Sequence, residues 1–328
     1  MIPLLREPVY NAISDLPDGL YALSRRVLRS RQKDDLVLYC DLRRFYNKSR
    51  RTEIPCFEKT MVVTRGYWEY EYFNVCFLNN MLMLCLKAVT EGCIPRIEVK
   101  TSKGENLWEE FFRQPYYEVS TEKMSRIIAD ENTPVRMPPW DVVYDEKKIN
   151  WYGSLYSAFT VLNCQTEEYI LKEIEQVTGM GKVLGVLCRG TDYTRTKPAT
   201  HPVQPSGEAV IEKAGEIFEA GKYDYIYLAT EDSRYDMLFR ERFADRILTN
   251  KRCYYDKAFE DQKISLIKDV HFDRENDEYL KGLEYLSSLK ILSECEGLVA
   301  GNCGGTLAAV MWNNNRYSDK YIFDMGIY

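Results

Sequence analysis

Apolar and polar positions change rhythm near residue 179. Beyond it, short unbroken apolar runs alternate with stretches whose apolar residues recur at spacings of three and four. "KVLGVLC" reads as a buried strand. Pro205 and Ser206 open a helix, with Ser206 as its cap and Glu208 in its first turn. Ala209, Val210, Ala214, Ile217 and Phe218 line one face of that helix, and Gly221 stops it. "YDYIYLAT" is the next strand, followed by a helix through "YDMLFRERF", a helix over 277–295, the strand "GLVAG" and the segment "NCGGTLAAVMW". Such alternation predicts an α/β fold with a parallel sheet covered on both faces. Ligands of such sheets bind beyond the carboxyl ends of the strands, so Arg189–Asp192, Thr230–Asp232 and Asn302–Thr306 fall on one rim.

Upstream the pattern is looser. Residues 1–60 read as helical and basic around a strand at "DLVLYCD". Helical spacing covers 67–92 and ends at Gly92, and "IPRIEVK" reads as a strand. An aromatic stretch, "NLWEEFFRQPYYEV", precedes a proline cluster at 132–141, and a helix through "SLYSAFTVLN" and "EEYILKEIEQV" leads to Gly179 and Gly181. Three segments follow: 1–60, 61–178 and 179–328. The longest apolar run, "FNVCFLNNMLMLCLKAV", is interrupted by Asn79 and Asn80 and reads as a core helix rather than a membrane span.

Composition narrows the class. With 45% apolar and 29% charged residues in 328, the chain is soluble and globular. Its ten cysteines show no C-x-x-C and no zinc-type spacing, and "MIPLLREPVY" lacks a secretory pattern, so reduced thiols and a cytoplasmic location are expected. The net charge of −6 hides ten basic and three acidic residues between 24 and 52. That block suits a peripheral contact with an anionic membrane or simply a solvated helix face; an acidic chain without a stacking platform argues against nucleic acid. Two histidines make an imidazole metal site improbable, no G-x-S-x-G occurs, and "TGMGKV" lacks the spacing of a phosphate loop. No D-x-D is present to hold a diphosphate through a divalent ion.

The rim loops carry the candidate chemistry. Arg189, the first charged residue after its strand, suits a diphosphate gripped by two charge-assisted bonds, with Gly190 leaving room for close approach. The competing reading is an Arg189–Asp192 pair that clasps the loop. Thr230, Glu231 and Asp232 suit a ribose or a base amine, or else Asp232 only caps the next helix. Small residues from Asn302 through Gly304, Gly305 and Thr306 leave helix-start amides open to an anion.

In these residues the chain resembles the GDP-fucose-dependent fucosyltransferases of the two-Rossmann GT-B type, the α-1,6- and protein O-fucosyltransferase superfamily with its bacterial members. The resemblance rests on "GVLCRGTDY", "HPVQP", "YIYLATED" and "LSECEGLVAGNCGGTLAAV", within roughly 183–312. It implies two Rossmann-like domains facing a cleft, with 61–178 on the acceptor side and 179–328 holding the nucleotide sugar. It further implies that Arg189 meets the donor β-phosphate, with Gly190, Thr191, Asp192 and His201 beside it. Thr230, Glu231 and Asp232 would frame the nucleotide, and Ser288 stands where the family often has a guanine-reading aspartate. Asn302, Gly304, Gly305 and Thr306 would close over the diphosphate. No metal or other cofactor is implied, the GDP-sugar being a substrate.

The chain departs from the family pattern in three respects: Leu187 replaces its histidine, Lys197 stands in place of its glutamate base, and glycines or Cys303 replace its serines. Asp192 is then the first candidate base, with Glu69 or Glu71 as alternatives. The expected activity is metal-independent, inverting transfer of fucose from GDP-fucose to a glycan, with a lipid-linked acceptor at the inner membrane surface as one setting. Use of another nucleotide sugar, or a non-catalytic glycan- or nucleotide-binding relative, stands beside it.

Overall fold

The computed structural model describes residues 7–50, 57–64, 70–262, 264 and 266–328. The chain divides into two compact units. The first comprises Met1–Tyr70, Phe77–Pro138 and Asn150–Val161; the second comprises Glu71–Cys76, Pro139–Ile149 and Leu162–Tyr328.

The first unit opens with three helices, α1 (Glu7–Ser14), α2 (Asp18–Ser30) and α3 (Asp34–Ser49). Tyr10, Tyr21 and Cys40 form their shared core. The strand read at "DLVLYCD" is therefore part of α3. Its apolar residues are buried at Val37, Cys40 and Leu42, which fits one face of a helix as well as a short strand. Part of the basic block is paired inside the unit. Arg25 pairs with the buried Asp41 and with Glu91, Arg43 with Asp15, and both Arg44 and Lys48 with Asp18. Burial pushes the Asp41 carboxyl up, against the pull of Arg25 and the Tyr21 hydroxyl.

A small parallel sheet follows, in the order β2 (Cys93–Ile97), β1 (Lys59–Val63), β3 (Ser125–Ala129). Helix α4 runs from Val75 to Thr90, not from 67; residues 65–69 lie outside the described ones, and 71–74 are not helical. Its apolar residues are buried almost without a break, and buried Asn79 accepts a hydrogen bond from the Tyr156 hydroxyl at 2.7 Å. The two asparagines thus sit in a core helix. Among the described residues no helix is long and apolar enough to cross a membrane.

Where the sequence predicts one long helix, two form: α5 (Glu146–Phe159) and α6 (Cys164–Thr178), the latter capped by Asn163. Helix α6 packs along α11 in the second unit. For this reason the compact units do not follow the boundaries read from the sequence: 1–60 joins the first unit, and 164–178 joins the second.

The second unit is built on β4 (Val183–Leu187), β5 (Tyr225–Ala229), β6 (Ile247–Leu248), β7 (Gly297–Gly301) and β8 (Asp319–Phe323). All pair in parallel, in the order β6-β5-β4-β7-β8. Between them run α7 (Asp192–Thr196), α8 (Gly207–Gly221), α9 (Ser233–Phe243), α10 (Asp256–Gln262), α11 (Asp277–Glu294) and α12 (Gly304–Asn313). Leu184, Val186, Ile226 and Leu228 meet Val210, Ala214 and Phe218 of α8 and Phe239 of α9 in one core. On the other face α11 approaches so closely that a Cβ on Gly185 would stand 3.0 Å from Leu292. Strands buried on both faces read as unbroken apolar runs, which is why β4, β5 and β7 were legible. Strands β3, β6 and β8 were not: β3 is exposed at four of its five residues, β6 has two residues, and β8 begins Asp-Lys.

The Arg25–Asp41 pair yields a stability prediction. Asp41→Ala strips a buried guanidinium of its main carboxylate and should cost about 3 kcal/mol. Urea unfolding followed by circular dichroism checks this, and a change under 1 kcal/mol would place the pair among weak surface bridges.

Candidate functional site

The strand order corresponds to 3-2-1-4-5, which reverses between β4 and β7. In doubly wound sheets this switch point, beyond the carboxyl ends of the strands, is where ligands sit. The loops leaving β4 and β7 are the first and third of the rim motifs, and β5 delivers the second.

Arg189 stands directly beyond β4 and Cys188. Its side chain is 13% exposed, and its Nη2 donates to Asp192 Oδ1 at 2.7 Å. Its Nε lies 3.1 Å from Glu231 Oε1, an ion pair without hydrogen-bond alignment. The guanidinium also lies over the Tyr193 ring, 4.6 Å from its centre. Burial alone would lower its pKa, but the Glu231 and Asp192 carboxylates hold it well above the usual arginine value. The clasp that composition allowed is thus formed, and Glu231 enlarges it. One formal positive charge faces two formal negative ones.

The loop is shaped around this cluster. Gly190 and Thr191 both offer their backbone N–H to Glu231 Oε1, and the buried Thr191 hydroxyl donates to the same oxygen at 2.9 Å. Asp192 Oδ1 also accepts the Tyr193 N–H. A Cβ on Gly190 would lie 2.4 Å from the Tyr235 ring and 2.6 Å from Asp232, so the missing side chain serves internal packing. Tyr193 stands edge-on to His201, which lies 5.5 Å from Trp140 between ring centres.

Beyond β5, Asp232 is fully buried, accepts the Arg234 N–H as the cap of α9, and pairs with the Arg234 guanidinium at 2.5 Å. It is a cap, as the simpler reading had it. Buried Thr230 turns its hydroxyl to the Asp232 N–H, and its carbonyl accepts from Arg252 at 2.7 Å. Arg252 also donates to Ser288 and to Asn250. Ser288 is itself buried, and its hydroxyl donates to the Glu284 carbonyl at 2.8 Å. Its hydroxyl is thus held by Glu284 of its own helix and by Asn250 and Arg252, which follow β6. Arg252 had no local signal in the sequence, because partners such as Tyr227 of β5 and Ser288 of α11 are distant in the chain.

At the end of β7, Asn302 donates to the Trp140 carbonyl, its own carbonyl accepts from Gln204, and the Thr306 hydroxyl donates to the Gly301 carbonyl. These polar groups hold the turn. The helix it starts, like α7 and α11, carries no side-chain cap. Helices α6, α8 and α9 carry side-chain caps from Asn163, Ser206 and Asp232, whereas α12 starts at Cys303 with none. A Cβ on Gly304 would meet only Val75, at an ordinary 3.5 Å. The first amides of α12 therefore present the positive end of a helix at the switch point.

The segment Glu71–Cys76 also belongs to this unit. Tyr72 feels the charges of Asp192 and Arg189, Phe73 packs on Tyr285, and Val75 faces Gly304. Burial holds the phenols of Tyr72 and Tyr285 well above their usual range and pushes Tyr193 up to about 12, so these neighbours stay neutral at physiological pH. Of the alternative bases, Glu71 lies in this segment and Glu69 falls outside the described residues. Lys197 adopts a left-handed conformation at the end of α7 and is exposed.

No protein-family model matches the chain, and no curated protein matches it. Among solved structures it is similar to the NodZ α-1,6-fucosyltransferase soaked with GDP-fucose, at 11% identity over 77% of this chain and 92% of that one, with a TM-score of 0.46. The selenomethionine form of the fucosyltransferase NodZ from Bradyrhizobium gives 11% identity, 81% and 95% coverage and a TM-score of 0.46. POFUT1 in complex with GDP-fucose gives 11%, 88% and 79%, and 0.38.

The packing of Gly190 has a direct test. Gly190→Ala forces the Tyr235 ring and Asp232 apart and should lower stability by about 1–3 kcal/mol. A thermal melt that leaves the midpoint unchanged would mean that the space beside Gly190 is open after all.

Proposed function

We propose that the protein is a glycosyltransferase that moves a sugar, fucose from GDP-fucose in our reading, onto a glycan hydroxyl with inversion and without a metal ion. One observation carries this reading: a guanidinium and an uncapped helix start flank the switch point of a 3-2-1-4-5 sheet. Departure of a nucleoside diphosphate places new negative charge on the leaving phosphate. Fixed donors in a site largely shielded from water stabilise that charge most effectively. Arg189 would meet it from the β4 side and the amides of Gly304 to Thr306 from the β7 side.

Asp192 is the first choice of base. Its Oδ1 is occupied by Arg189 and the Tyr193 N–H, which leaves Oδ2 to take the acceptor proton. In the simpler alternative Asp192 only orients Arg189 and a carboxylate elsewhere takes the proton. The commitment of Ser288 favours a second reading of the donor: a base other than guanine, in a different nucleotide sugar, fits the same phosphate geometry. The acceptor in this reading is a glycan, a lipid-linked one at a membrane surface being one setting.

Two measurements decide it. A thermal-shift series of GDP, UDP and CMP should show selective stabilisation by GDP, undiminished by chelator; selective stabilisation by UDP would move the donor to the second reading. Arg189→Ala should lower turnover about 10²–10³-fold with the fold retained. Near-normal turnover of that variant would remove the phosphate role and the transferase reading with it.

A further inference from the structure

We propose that Glu231 occupies the place of a donor phosphate oxygen, so that a diphosphate binds by displacing this carboxylate from Arg189. Glu231 is then an affinity-determining residue of the site. The inference rests on the diphosphate reading above and deepens it.

The contacts of a single oxygen support it. Glu231 Oε1 receives the N–H of Gly190 at 3.2 Å, the N–H of Thr191 at 3.4 Å and the Thr191 hydroxyl at 2.9 Å, with Arg189 Nε 3.1 Å away. Two successive backbone amides, a hydroxyl and a guanidinium converging on one anionic oxygen are the donor set that proteins offer to phosphate. Here the oxygen comes from the protein itself.

Charge argues in the same direction. Asp192 already balances Arg189 from within the same loop, at 2.7 Å. Glu231 arrives from the loop beyond the neighbouring strand β5 and leaves the cluster with one formal negative charge in excess. A diphosphate entering with Glu231 in place would meet like charge at contact distance. With Glu231 gone, the amides of Gly190 and Thr191, the Thr191 hydroxyl and Arg189 Nε would be left without their anion, while Asp192 still orients the guanidinium. The two carboxylates therefore have different tasks, set by the chain segments that carry them.

Isothermal titration with inorganic pyrophosphate and with GDP tests this on the full chain. Glu231→Gln keeps the shape of the side chain and removes the competing charge, and should bind pyrophosphate at least about tenfold more tightly than wild type. Adding Arg189→Gln to that variant should abolish the gain. An unchanged or weakened affinity in Glu231→Gln overturns the inference; if Arg189→Gln alone still weakens binding, the diphosphate reading survives it. Equal binding by wild type and Arg189→Gln overturns both. A wild-type complex with pyrophosphate gives an answer independent of how the variants fold. Glu231 Oε1 should have left Gly190 and Thr191, and its retention there would refute displacement.

Discussion

A guanidinium set between two carboxylates at the end of a central strand governs the geometry of the second unit's rim. Arg189 is mostly covered, and a covered charge is tolerated only when paired and hydrogen-bonded. Asp192 supplies a hydrogen-bonded ion pair, and Glu231 supplies a second paired charge without an aligned hydrogen bond to Nε. In doing so they fix the β4–α7 loop, because Glu231 also takes two of its amides and its threonine hydroxyl. The tight packing of Gly190 on Tyr235 and the run of ring contacts from Arg189 through Tyr193 and His201 to Trp140 adjoin that anchored loop.

Much of this unit was legible in the sequence, for a physical reason. Strands such as Val183–Leu187 and Gly297–Gly301 are buried on both faces, so they appear as apolar runs bounded by glycine or charge. The helices between them keep a clear period. Upstream, the signals compete. Residues 35–42 suit either a strand or a helix face, and three-helix packing decided for the helix. The exposed strand Ser125–Ala129 has no alternation to read.

The candidate site was legible as three loops but not as a network. Arg189 and Asp192 are three residues apart, and their pairing could be weighed from spacing alone. Glu231 is 42 positions away from Arg189 in the chain, and Tyr72 lies farther still; no local pattern joins them. Ser288 illustrates the limit of alignment by motif. A position fixes which residue stands there, while Arg252 and the Glu284 carbonyl, from β6's far side and the same helix, determine what its hydroxyl can do.

The clasp and the phosphate site need not be rival accounts of Arg189. A loop rich in inward-facing donors is stable without ligand only if some anion fills it, and a carboxylate from the loop beyond the neighbouring strand is the nearest source. The same logic links binding to the proposed chemistry. Once Glu231 is displaced, Asp192 is the remaining carboxylate on Arg189. If Asp192 then accepts the acceptor's proton, its hold on the guanidinium weakens as the leaving phosphate gains charge. Arg189 can shift its bonding from carboxylate to phosphate at the stage of the reaction where the phosphate needs it most. In the proposed mechanism, proton transfer and leaving-group stabilisation would be coupled through one side chain.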